Sequence, residues 1–258
     1  MKFSILINCH NQENYIHDCI TSCFNQEYSN FEVIVIDSSD KKLDLSNLNY
    51  KKNLKYLHIK KFYEFPELNQ MYKIELGLKE ASGDYICLLD GDDFFKNNKL
   101  KNLSEFIKEK KIIINQDLPI LIKGNNEYTL KIKKIKESLF FKKFIVNWPQ
   151  IYGTSSITVK KNILKEFFSK SQPYNWKLLA IDVQLILFCQ SFYNITNELK
   201  NITYKRKHGQ NLGDLYLDIF SKIFWKRRMC QHNFFNFLKN RRILNLDYVL
   251  TRTVNFFL

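Results

Sequence analysis

The chain has 258 residues, 45% of them hydrophobic, which is enough to bury a sizeable core and excludes an intrinsically disordered chain. Its six cysteines form no C-x-x-C pair, and most stand in apolar runs, where a thiol behaves as a small hydrophobic group. This pattern fits a protein of a reducing compartment best. The formal net charge is +14, and residues 200–258 hold twelve Lys or Arg against three acidic residues. Such a basic segment, here mixed with Phe and Trp, can contact a membrane surface, a nucleic acid or an anionic glycan.

The sequence predicts neither a signal peptide nor a transmembrane helix. Residues 3–7 are apolar, but this run is too short for the core of a signal peptide and ends at the polar Asn8. No run approaches the length of about eighteen uncharged apolar residues that a membrane span needs. We therefore expect a cytoplasmic protein, which the basic C-terminal segment could attach to the inner face of the cytoplasmic membrane.

The first hundred residues alternate strand and helix patterns. Residues 85–89 form an uninterrupted apolar run of strand length, as in a strand that is covered on both faces of a parallel sheet. The alternation predicts an open α/β sheet of the Rossmann kind, in which ligands bind beyond the carboxyl ends of the strands. The predicted strands are residues 3–8, 31–36, 54–59 and 85–89, and the predicted helices are residues 14–26 and 66–81.

Shorter patterns follow in the second part of the chain. A turn at residues 124–126 (Gly-Asn-Asn) between two short strands predicts a hairpin. No internal repeat and no linker rich in Pro, Gly or Ser is present, so we predict one domain at residues 1–212, with halves at 1–100 and 101–212, and a helical C-terminal appendage at 213–258. The other predicted elements are strands at 111–115, 120–123, 128–133, 155–159 and one ending at 204–206, and helices at 97–111, 136–144, 160–169, 176–191 and two within 215–258.

Residues 90–93, here called the acidic turn, are Asp-Gly-Asp-Asp and come directly after the predicted buried strand. Three carboxylates in four positions repel one another, so a compensating cation is expected nearby. With Gly91 relaxing the backbone, Asp90 and Asp92 can project to one side and hold a divalent ion together with the diphosphate of a nucleotide. A solvated turn that caps the next helix is the alternative, and these four residues alone do not decide between the two.

Three segments, in order and at matching spacing, resemble family 2 glycosyltransferases. Residues 76–93 are similar to the segment that runs into the DxD motif of that family, G-x-x-x-A-x-G-x-Y followed by apolar residues and D-x-D-D. Residues 3–16 resemble its first strand and loop, and residues 22–37 match its S-x-x-x-Q-x-Y run and second strand. The resemblance covers residues 2–100 well and the rest loosely. It implies the GT-A fold, a mainly parallel sheet flanked by helices, and inverting sugar transfer from a nucleoside diphosphate sugar.

The resemblance also implies roles for single residues. Asp37 matches the carboxylate that hydrogen-bonds the base, usually uracil, although an Asp that ends a strand also suits a plain turn. Asp90 would face the ribose or the sugar, and Asp92 and Asp93 are the candidate ligands of Mn²⁺ or Mg²⁺. Residues 8–10 and 37–40 depart from the usual Pro-Thr-Tyr and Asp-Asp-Gly-Ser, which leaves the identity of the donor open. The remaining nucleotide-sugar-binding candidates are His10, Asn11, Glu13 and Gly91.

An inverting transferase also needs a general base, because the acceptor hydroxyl must lose a proton as it attacks the anomeric carbon. In the family this base is an Asp or Glu at a helix start well after the DxD motif. Asp182 is the best match, since it is the only acid between Glu166 and Glu198 and interrupts an apolar run at residues 178–183. A carboxylate in such a run is costly unless it is paired or functional, but an exposed acid on a polar helix face is the alternative.

Two further segments resemble the acceptor side of the family. Residues 152–161 are similar to the segment that precedes the base, and residues 204–211 look like the Y-R-x-H-x-x-N ending. A cation or an imidazole there can meet the diphosphate or the acceptor, which makes Arg206 and His208 candidates. For His208, a position in a plain loop is equally compatible with the sequence.

In two stretches of the basic segment, residues 220–228 and 234–242, apolar and basic residues alternate at spacings that can separate on the surface of a helix. Such helices can lie in a membrane interface with their basic residues toward anionic headgroups. The alternative is a pair of ordinary helices that pack on the domain with a solvated basic face. A membrane position would suit a lipid-linked acceptor.

Together these features predict an inverting glycosyltransferase, a hexosyl- or N-acetylhexosaminyl-transferase, that uses a UDP-linked donor and a divalent metal. The expected acceptor is a glycan or a lipid-linked sugar of a bacterial surface polysaccharide, capsule or lipooligosaccharide. A catalytically inactive relative that only binds the nucleotide sugar is the first alternative. A nucleic-acid-binding protein is the second, but the chain has no recognised nucleic-acid motif and an acidic turn repels phosphate unless a metal intervenes. No nucleic-acid partner is therefore expected.

Overall fold

The computed structural model describes residues 1–46, 53–130, 148–193, 195, 200–209, 211–242 and 245–257. Strands and helices alternate along the first half of the chain, as the sequence predicts. The strands are β1 (Phe3–Cys9), β2 (Phe31–Asp37), β3 (Leu54–His58), β4 (Tyr85–Asp90), β5 (Phe94–Phe95), β6 (Ile114–Gln116), β7 (Ile120–Lys123), β8 (Asn126–Thr129), β9 (Ile157–Lys160) and β10 (Thr203–Arg206). The α-helices are α1 (Glu13–Phe24), α2 (Pro66–Glu80), α3 (Lys99–Lys110), α4 (Lys161–Lys170), α5 (Ile181–Phe192), α6 (Lys222–Leu238) and α7 (Leu246–Phe257).

A six-stranded sheet with the order β3-β2-β1-β4-β9-β6 forms the centre of the molecule. Strands β3, β2, β1 and β4 are parallel, and β9 pairs antiparallel with both β4 and β6. A second sheet has the order β5-β10-β7-β8, in which β7 and β8 form the predicted hairpin. The predicted mixed, mainly parallel sheet flanked by helices is confirmed.

The central sheet is covered on both faces, which explains the apolar runs of its strands. All residues of β1 and β2 are buried. Alternate side chains of these strands point to opposite faces, so that Leu6 and Ile34 belong to one hydrophobic cluster and Ile5 and Val33 to the other. The first cluster packs under α2, α4, α5 and α6, and the second under α1 and α3. Each fully buried Leu, Ile or Val side chain contributes about 1.5–3 kcal/mol.

Several predicted boundaries were wrong, and the structure gives the reasons. Helix α5 starts at Ile181 rather than at residue 176, because residues 173–175 form a short 3₁₀ turn and the indole of Trp176 donates to the carbonyl of Ser171 at 3.1 Å. The strand predicted at 111–115 begins only at Ile114, since Lys111 ends α3 in the left-handed conformation with φ 51°. The predicted helix at 136–144 and the end of the strand predicted at 128–133 lie outside the described residues.

The two C-terminal helices pack against the rest of the molecule. Phe234 and Leu238 of α6 are buried in the cluster that also contains α5, and the Phe234 ring lies 5.2 Å from the ring of Trp176. Asp247 joins α7 to α6, because its carboxylate accepts from Arg228 at 2.6 Å. Helix α6 therefore shares a core with residues 1–212 and α7 is joined to α6, while the predicted division at 212 stays a prediction. Within the described parts of the chain, no helix is both long and apolar enough to span a bilayer.

Candidate active site

The carboxyl ends of three neighbouring strands meet at one edge of the central sheet. Asn8 of β1 is in register with Asp90 of β4, and Cys9 is in register with Asp37 of β2. A cavity of ≈ 440 Å³ opens beyond this edge. Seven of the predicted site residues line it, and Glu13, Asp37, Gly91 and Arg206 do not. The seven are His10, Asn11, Asp90, Asp92, Asp93, Asp182 and His208.

Asp90 is held by amide groups on two sides. Its Oδ1 accepts from the side-chain amides of Asn8 at 3.0 Å and Gln70 at 2.9 Å. Burial raises the pKa of Asp90 to about 6, and the charge of Asp92 adds to this rise. The side-chain oxygens of Asn8 and Gln70 are buried and have no hydrogen-bond partner among the described residues. Two such acceptors beside a carboxylate can accept hydrogen bonds from donor groups of a ligand.

Each carboxylate oxygen of Asp93 accepts a hydrogen bond from the protein. Its Oδ2 accepts from the hydroxyl of Ser155 at 2.6 Å, and its Oδ1 accepts from the backbone N–H of Arg206 at 2.9 Å. Burial, together with the charges of Asp92 and Asp90, raises the pKa of Asp93 to about 8. Ser155 also accepts from the backbone N–H of Asp90 at 3.1 Å, so this residue ties the acidic turn to the segment before β9.

Asp92 meets a ring nitrogen from the C-terminal side of the cavity. Its Oδ2 lies 2.7 Å from Nε2 of His208, and the imidazole is stacked on the ring of Tyr15 at 5.2 Å. The backbone N–H of His208 donates to Oδ1 of Asn211 at 3.1 Å, which fixes the loop after β10. His208 therefore lines the cavity beside Asp92, and its contact with the diphosphate or the acceptor stays a prediction.

The two candidate metal ligands, Asp92 and Asp93, differ in the partners that the protein gives them. The described residues contain no group of three or more His, Cys, Asp or Glu side chains that could hold a metal. An oxygen of Asp92 and a ring nitrogen of His208 lie 2.7 Å apart, at hydrogen-bond distance, and both are atom types that bind divalent ions. Mg²⁺ and Mn²⁺ sites in nucleotide-dependent enzymes take their other ligands from phosphate and water. Asp92 and Asp93 both stay predicted metal ligands.

Arg206 supports the site from behind. Its guanidinium pairs with Asp18 at 2.7 Å and lies over the rings of Phe94 at 4.7 Å and Tyr15 at 5.2 Å. It also donates to the backbone carbonyl of Asp92 at 3.0 Å. Arg206 thereby connects β10, α1 and the acidic turn, and its predicted contact with diphosphate or acceptor stays a prediction.

Lys205 is a cation that the sequence did not single out. Burial lowers its pKa, but the carboxylates of Asp93, Asp182 and the other acidic-turn residues outweigh this effect, and the pKa lies above its ordinary value. Its chain passes against Gly153, where a Cβ would stand 2.3 Å from Nζ. Gly153 also has φ 101°, a conformation that favours glycine. Lys205 therefore supplies the compensating charge that three clustered carboxylates require.

Asp182 lies at the start of α5 and lines the cavity. Its Oδ1 accepts from the backbone N–H of Val183 at 2.7 Å, one of the free donors of the first helical turn. The charge of Asp182 acts on Lys205 together with the charges of the acidic turn. The structure thus brings the predicted base and the acidic turn to one cation, although they are about ninety residues apart in the sequence.

The predicted nucleotide loop follows β1. Nδ1 of His10 lies 2.8 Å from the carbonyl oxygen of Ser38, and Asn11 has the left-handed φ of 50°. Glu13 is exposed at the start of α1. Gly91 has no positive φ, and a Cβ there would stand 2.6 Å from Oε1 of Gln12, so the Gln12 side chain would have to shift.

Asp37 is completely buried beneath the cavity. Its Oδ1 accepts from the backbone N–H of Ser39 at 2.8 Å and from the hydroxyl of Ser39 at 2.5 Å. Its Oδ2 accepts from the hydroxyl of Tyr56 at 2.7 Å. Both oxygens thus have partners within the chain, as in a structural turn, and the contact of Asp37 with a base stays a prediction.

The sequence also did not single out Gln70 and Lys73 of α2, which line the cavity. Lys73 is 3% exposed, its ammonium donates to the carbonyl of Cys9 at 2.7 Å, and burial lowers its pKa to about 8. Glu67, Gln70 and Lys73 are spaced by three and share one helix face, which is the signal that could have found them. A solvent-facing stripe of a helix has the same pattern, so the signal is weak.

Residues 4–168 match the sequence profile of the family described as glycosyl transferase family 2. An uncharacterized glycosyltransferase of Haemophilus influenzae is 34% identical over 113 residues, which cover 43% of this chain and 44% of that protein. The poly(ribitol-phosphate) beta-N-acetylglucosaminyltransferase TarS of Staphylococcus aureus is 31% identical over 114 residues, which cover 42% of this chain and 19% of that protein. The match therefore spans less than half the length of these curated relatives.

Two solved structures have the same architecture. The crystal structure of S. aureus TarS 1-349 in complex with UDP matches with a TM-score of 0.66 and 19% identity, covering 99% of this chain and 70% of that chain. The mannosyltransferase PcManGT from Pyrobaculum calidifontis, in complex with GDP-Man and Mn²⁺, matches with a TM-score of 0.61 and 9% identity, covering 99% of this chain and 69% of that chain. Identities this low show the fold alone, and the expected GT-A fold is confirmed. Because the profile covers more than half of the residues, the chain belongs to glycosyl transferase family 2.

Proposed function

We propose that this protein is an inverting glycosyltransferase that moves a sugar from a nucleoside diphosphate sugar to a hydroxyl group. The observation that carries the proposal is the meeting of Asp182 with the acidic turn around Lys205 in one cavity. A carboxylate from a separate helix, placed across from a diphosphate site, is the arrangement that single-displacement transfer requires. UDP is the proposed nucleotide, because TarS is solved with UDP and with UDP-GlcNAc.

The donor would lie along the carboxyl edge of the sheet. His10 and Asn11 would border the nucleotide. The side-chain oxygens of Asn8 and Gln70 would accept hydrogen bonds from hydroxyl groups of the ribose or the sugar. Asp92, with His208 beside it, would hold a Mn²⁺ or Mg²⁺ ion, and PcManGT is solved with Mn²⁺. When bound, the ion supplies positive charge to the leaving diphosphate.

Asp182 would act as the general base. One carboxylate oxygen accepts from the helix N-terminus, which leaves the other free to take the proton of the acceptor hydroxyl. As the hydroxyl oxygen forms its bond to the anomeric carbon, the bond from that carbon to the diphosphate breaks, and the electron pair leaves with the diphosphate. Lys205 would stay protonated between the carboxylates and moderate their repulsion.

Binding of labelled UDP with and without Mn²⁺ tests the donor site. We expect metal-dependent binding that is lost in Asp92→Ala and weakened in His208→Gln, whereas Asp44→Ala, an exposed acid outside the cavity, leaves it unchanged. Metal-independent binding, or unchanged binding in Asp92→Ala, would reject the proposed donor site. Binding of duplex DNA or single-stranded RNA in place of UDP would favour the nucleic-acid alternative.

The proposed acceptors are hydroxyl groups of a bacterial surface glycan or its lipid-linked precursor, with transfer of a hexosyl or N-acetylhexosaminyl group. TarS is named for such a transfer to poly(ribitol-phosphate). Turnover with a panel of UDP-sugars and crude bacterial polysaccharide or lipid-linked fractions tests this part. Metal-dependent UDP binding with no turnover on any fraction would favour an inactive relative.

We also propose that the protein attaches peripherally to an anionic membrane. The segment between β10 and α6 exposes apolar side chains, with Leu217 71% and Phe220 87% exposed, beside Lys222 and Lys226. Large exposed apolar residues next to basic ones match an anionic bilayer surface. Cosedimentation with vesicles of phosphatidylglycerol tests the proposal. The double variant Leu217→Ser with Phe220→Ser should release the protein, Tyr128→Ser on β8 should not, and no binding of the unaltered chain would reject the proposal.

A further inference from the structure

Two basic side chains of the cavity wall have no hydrogen-bond or ion-pair partner among the described residues. The Lys and Arg residues that line the cavity are Lys61, Lys73, Lys205 and Arg227. Lys73 donates to a backbone carbonyl, and Lys205 is compensated by the aspartates. Lys61 and Arg227 form no hydrogen bond or ion pair with the described residues, and Nε of Arg227 is buried without a hydrogen-bond partner. A buried donor left unpaired in a cavity wall is expected to meet a ligand acceptor.

Arg227 differs from its two neighbours in α6. The guanidinium of Arg228 donates to Asp247 at 3.0 and 2.6 Å, which joins α6 to α7. Lys226 is exposed and outside the cavity. Of these three consecutive basic residues, only Arg227 lines the cavity. Which of them does so is set by the rotation of α6 about its axis, which its packing on α5 fixes.

The unpaired guanidinium is nevertheless fixed in position. It stacks on the ring of Tyr216 at 4.3 Å, and the Tyr216 hydroxyl donates to the carboxylate of Glu67. Glu67 is 3% exposed at the start of α2, and both residues line the cavity. Glu67 thus holds Tyr216, and the ring of Tyr216 covers one face of the Arg227 guanidinium. The N–H edge of the guanidinium remains available to a ligand. A stacked guanidinium with a free edge suits an oxyanion, which it binds with two parallel hydrogen bonds.

We propose that Arg227, assisted by Lys61, binds an anionic group of the acceptor, a phosphate or a carboxylate close to the hydroxyl that receives the sugar. This inference rests on the proposed function, which assigns the donor diphosphate to Asp92 and His208. The oxyanion at Arg227 must then come from the second substrate. The C-terminal segment, and not the sheet edge, thereby selects acceptors that carry negative charge.

The test keeps the donor site filled, so that added anions report on the acceptor site. The full chain is saturated with UDP and Mn²⁺ and titrated with glycerol 3-phosphate, glucuronate and neutral glucose, with binding followed by ligand-observed NMR. We expect one or both anions to bind and glucose not to bind. Arg227→Gln should weaken anion binding about tenfold or more, because a bidentate charged contact is lost, and Arg227→Lys should recover only part of it.

Lys226→Gln is the matched control, because it removes the same charge from the adjacent residue outside the cavity. It should leave anion binding within twofold of the unaltered chain. UDP affinity, measured separately, should be unchanged in Arg227→Gln. Equal anion binding by Arg227→Gln and the unaltered chain, no anion binding at all, or a loss of UDP affinity in Arg227→Gln would each overturn the inference. Failure of the unaltered chain to bind UDP would instead reject the proposed function.

Discussion

The two sides of the cavity differ in how their polar side chains are held. On the sheet side, Asp90 and Asp93 accept hydrogen bonds from amides, a hydroxyl and a backbone N–H of the chain itself. On the helical side, within the part of the chain that the structure describes, Asp182 accepts only from the backbone N–H of Val183, and Arg227 has no hydrogen-bond partner. The fold therefore holds the carboxylates of Asp90 and Asp93 in place before any ligand binds, while Asp182 and Arg227 keep hydrogen-bonding capacity for a ligand.

This difference separates two kinds of substitution. On the sheet side, a change removes a partner from another buried group, so we expect losses of stability as well as of activity. On the helical side, a change removes a group that has few partners in the protein, so we expect losses of function with stability retained. A helical-side substitution that unfolds the protein would contradict this expectation, and so would a sheet-side substitution that leaves its stability unchanged.

The largest effect is expected for Asp182→Asn. The amide cannot take the proton of the acceptor hydroxyl, so kcat should fall about a thousandfold, the usual contribution of a positioned general base. UDP affinity and the urea midpoint of unfolding should stay unchanged, because Asn can still accept from the helix N-terminus. Steady-state transfer rates and UDP binding measured on the same preparation check both expectations. An unchanged rate would reassign the base, and a lowered urea midpoint would break the distinction between the two sides.

The next largest effect concerns the ion pair beneath both sides. The ammonium of Lys99 is fully buried, pairs with Asp117 at 2.8 Å, and also donates to the carbonyl of Ser155 at 3.1 Å and to the hydroxyl of Thr203 at 2.6 Å. Lys99→Met leaves the Asp117 carboxylate buried without its cation, which should cost about 3–5 kcal/mol in the free energy of unfolding. Urea unfolding measures this cost.

A double variant serves as the control for this pair. Adding Asp117→Leu to Lys99→Met removes the second buried charge, so part of the lost stability should return. If the double variant is no more stable than Lys99→Met, the loss comes from the hydrogen bonds to Ser155 and Thr203 and not from the uncompensated charge. The stability of the double variant therefore shows whether the charge of Lys99 or its hydrogen bonds to Ser155 and Thr203 contribute more at this position.

The sequence was informative where the signal is local. The buried run at residues 85–89 followed by the acidic turn predicted both a strand and its functional end, because a strand covered on both faces must be apolar and only its end can carry carboxylates. Asp182 stood out for a similar reason, as one acid within an apolar run. In both cases the burial that makes the residue unusual is visible in its immediate neighbours.

The sequence was uninformative where packing decides. Gln70 and Lys73 have the spacing of any polar helix face, and only the contact of α2 with the sheet turns that face into a cavity wall. Arg227 and Arg228 are adjacent and chemically identical, and the phase of α6 alone sends one to the cavity and the other to Asp247. Such long-range choices leave no mark in a single sequence.

A moderate effect is expected for Gly153→Ala, which tests how tightly Lys205 is placed. Gly153 has φ 101°, and a Cβ would stand 2.3 Å from the ammonium of Lys205. We expect the free energy of unfolding to fall by about 2 kcal/mol from backbone strain and displacement of the cation. Gly124→Ala is the control, since Gly124 also has a positive φ of 58° but no atom within 4 Å of a Cβ. Equal losses in the two variants would mean that strain alone is responsible and that Lys205 moves freely.

The smallest effect concerns Glu32, at the opposite end of the sheet from the cavity. Burial alone would raise its pKa, but hydrogen bonds from Ser4 and Ser82 outweigh this and lower the pKa to about 2. Its ordinary value is 4.5, so the folded state holds the ionised form more strongly than the unfolded state does. The stabilisation is therefore complete above pH 4.5 and is lost as the pH falls from there to about 2.

Glu32→Gln measures this contribution. Gln keeps an acceptor oxygen but not the charge, so at pH 7 the free energy of unfolding should fall by about 1–2 kcal/mol. Its decline between pH 4.5 and about 2 should also be shallower than in the unaltered chain. UDP affinity should not change, because Glu32 lies outside the cavity. Urea unfolding at several pH values checks the slope, and a slope identical to that of the unaltered chain would mean that other carboxylates determine the acid stability of the sheet.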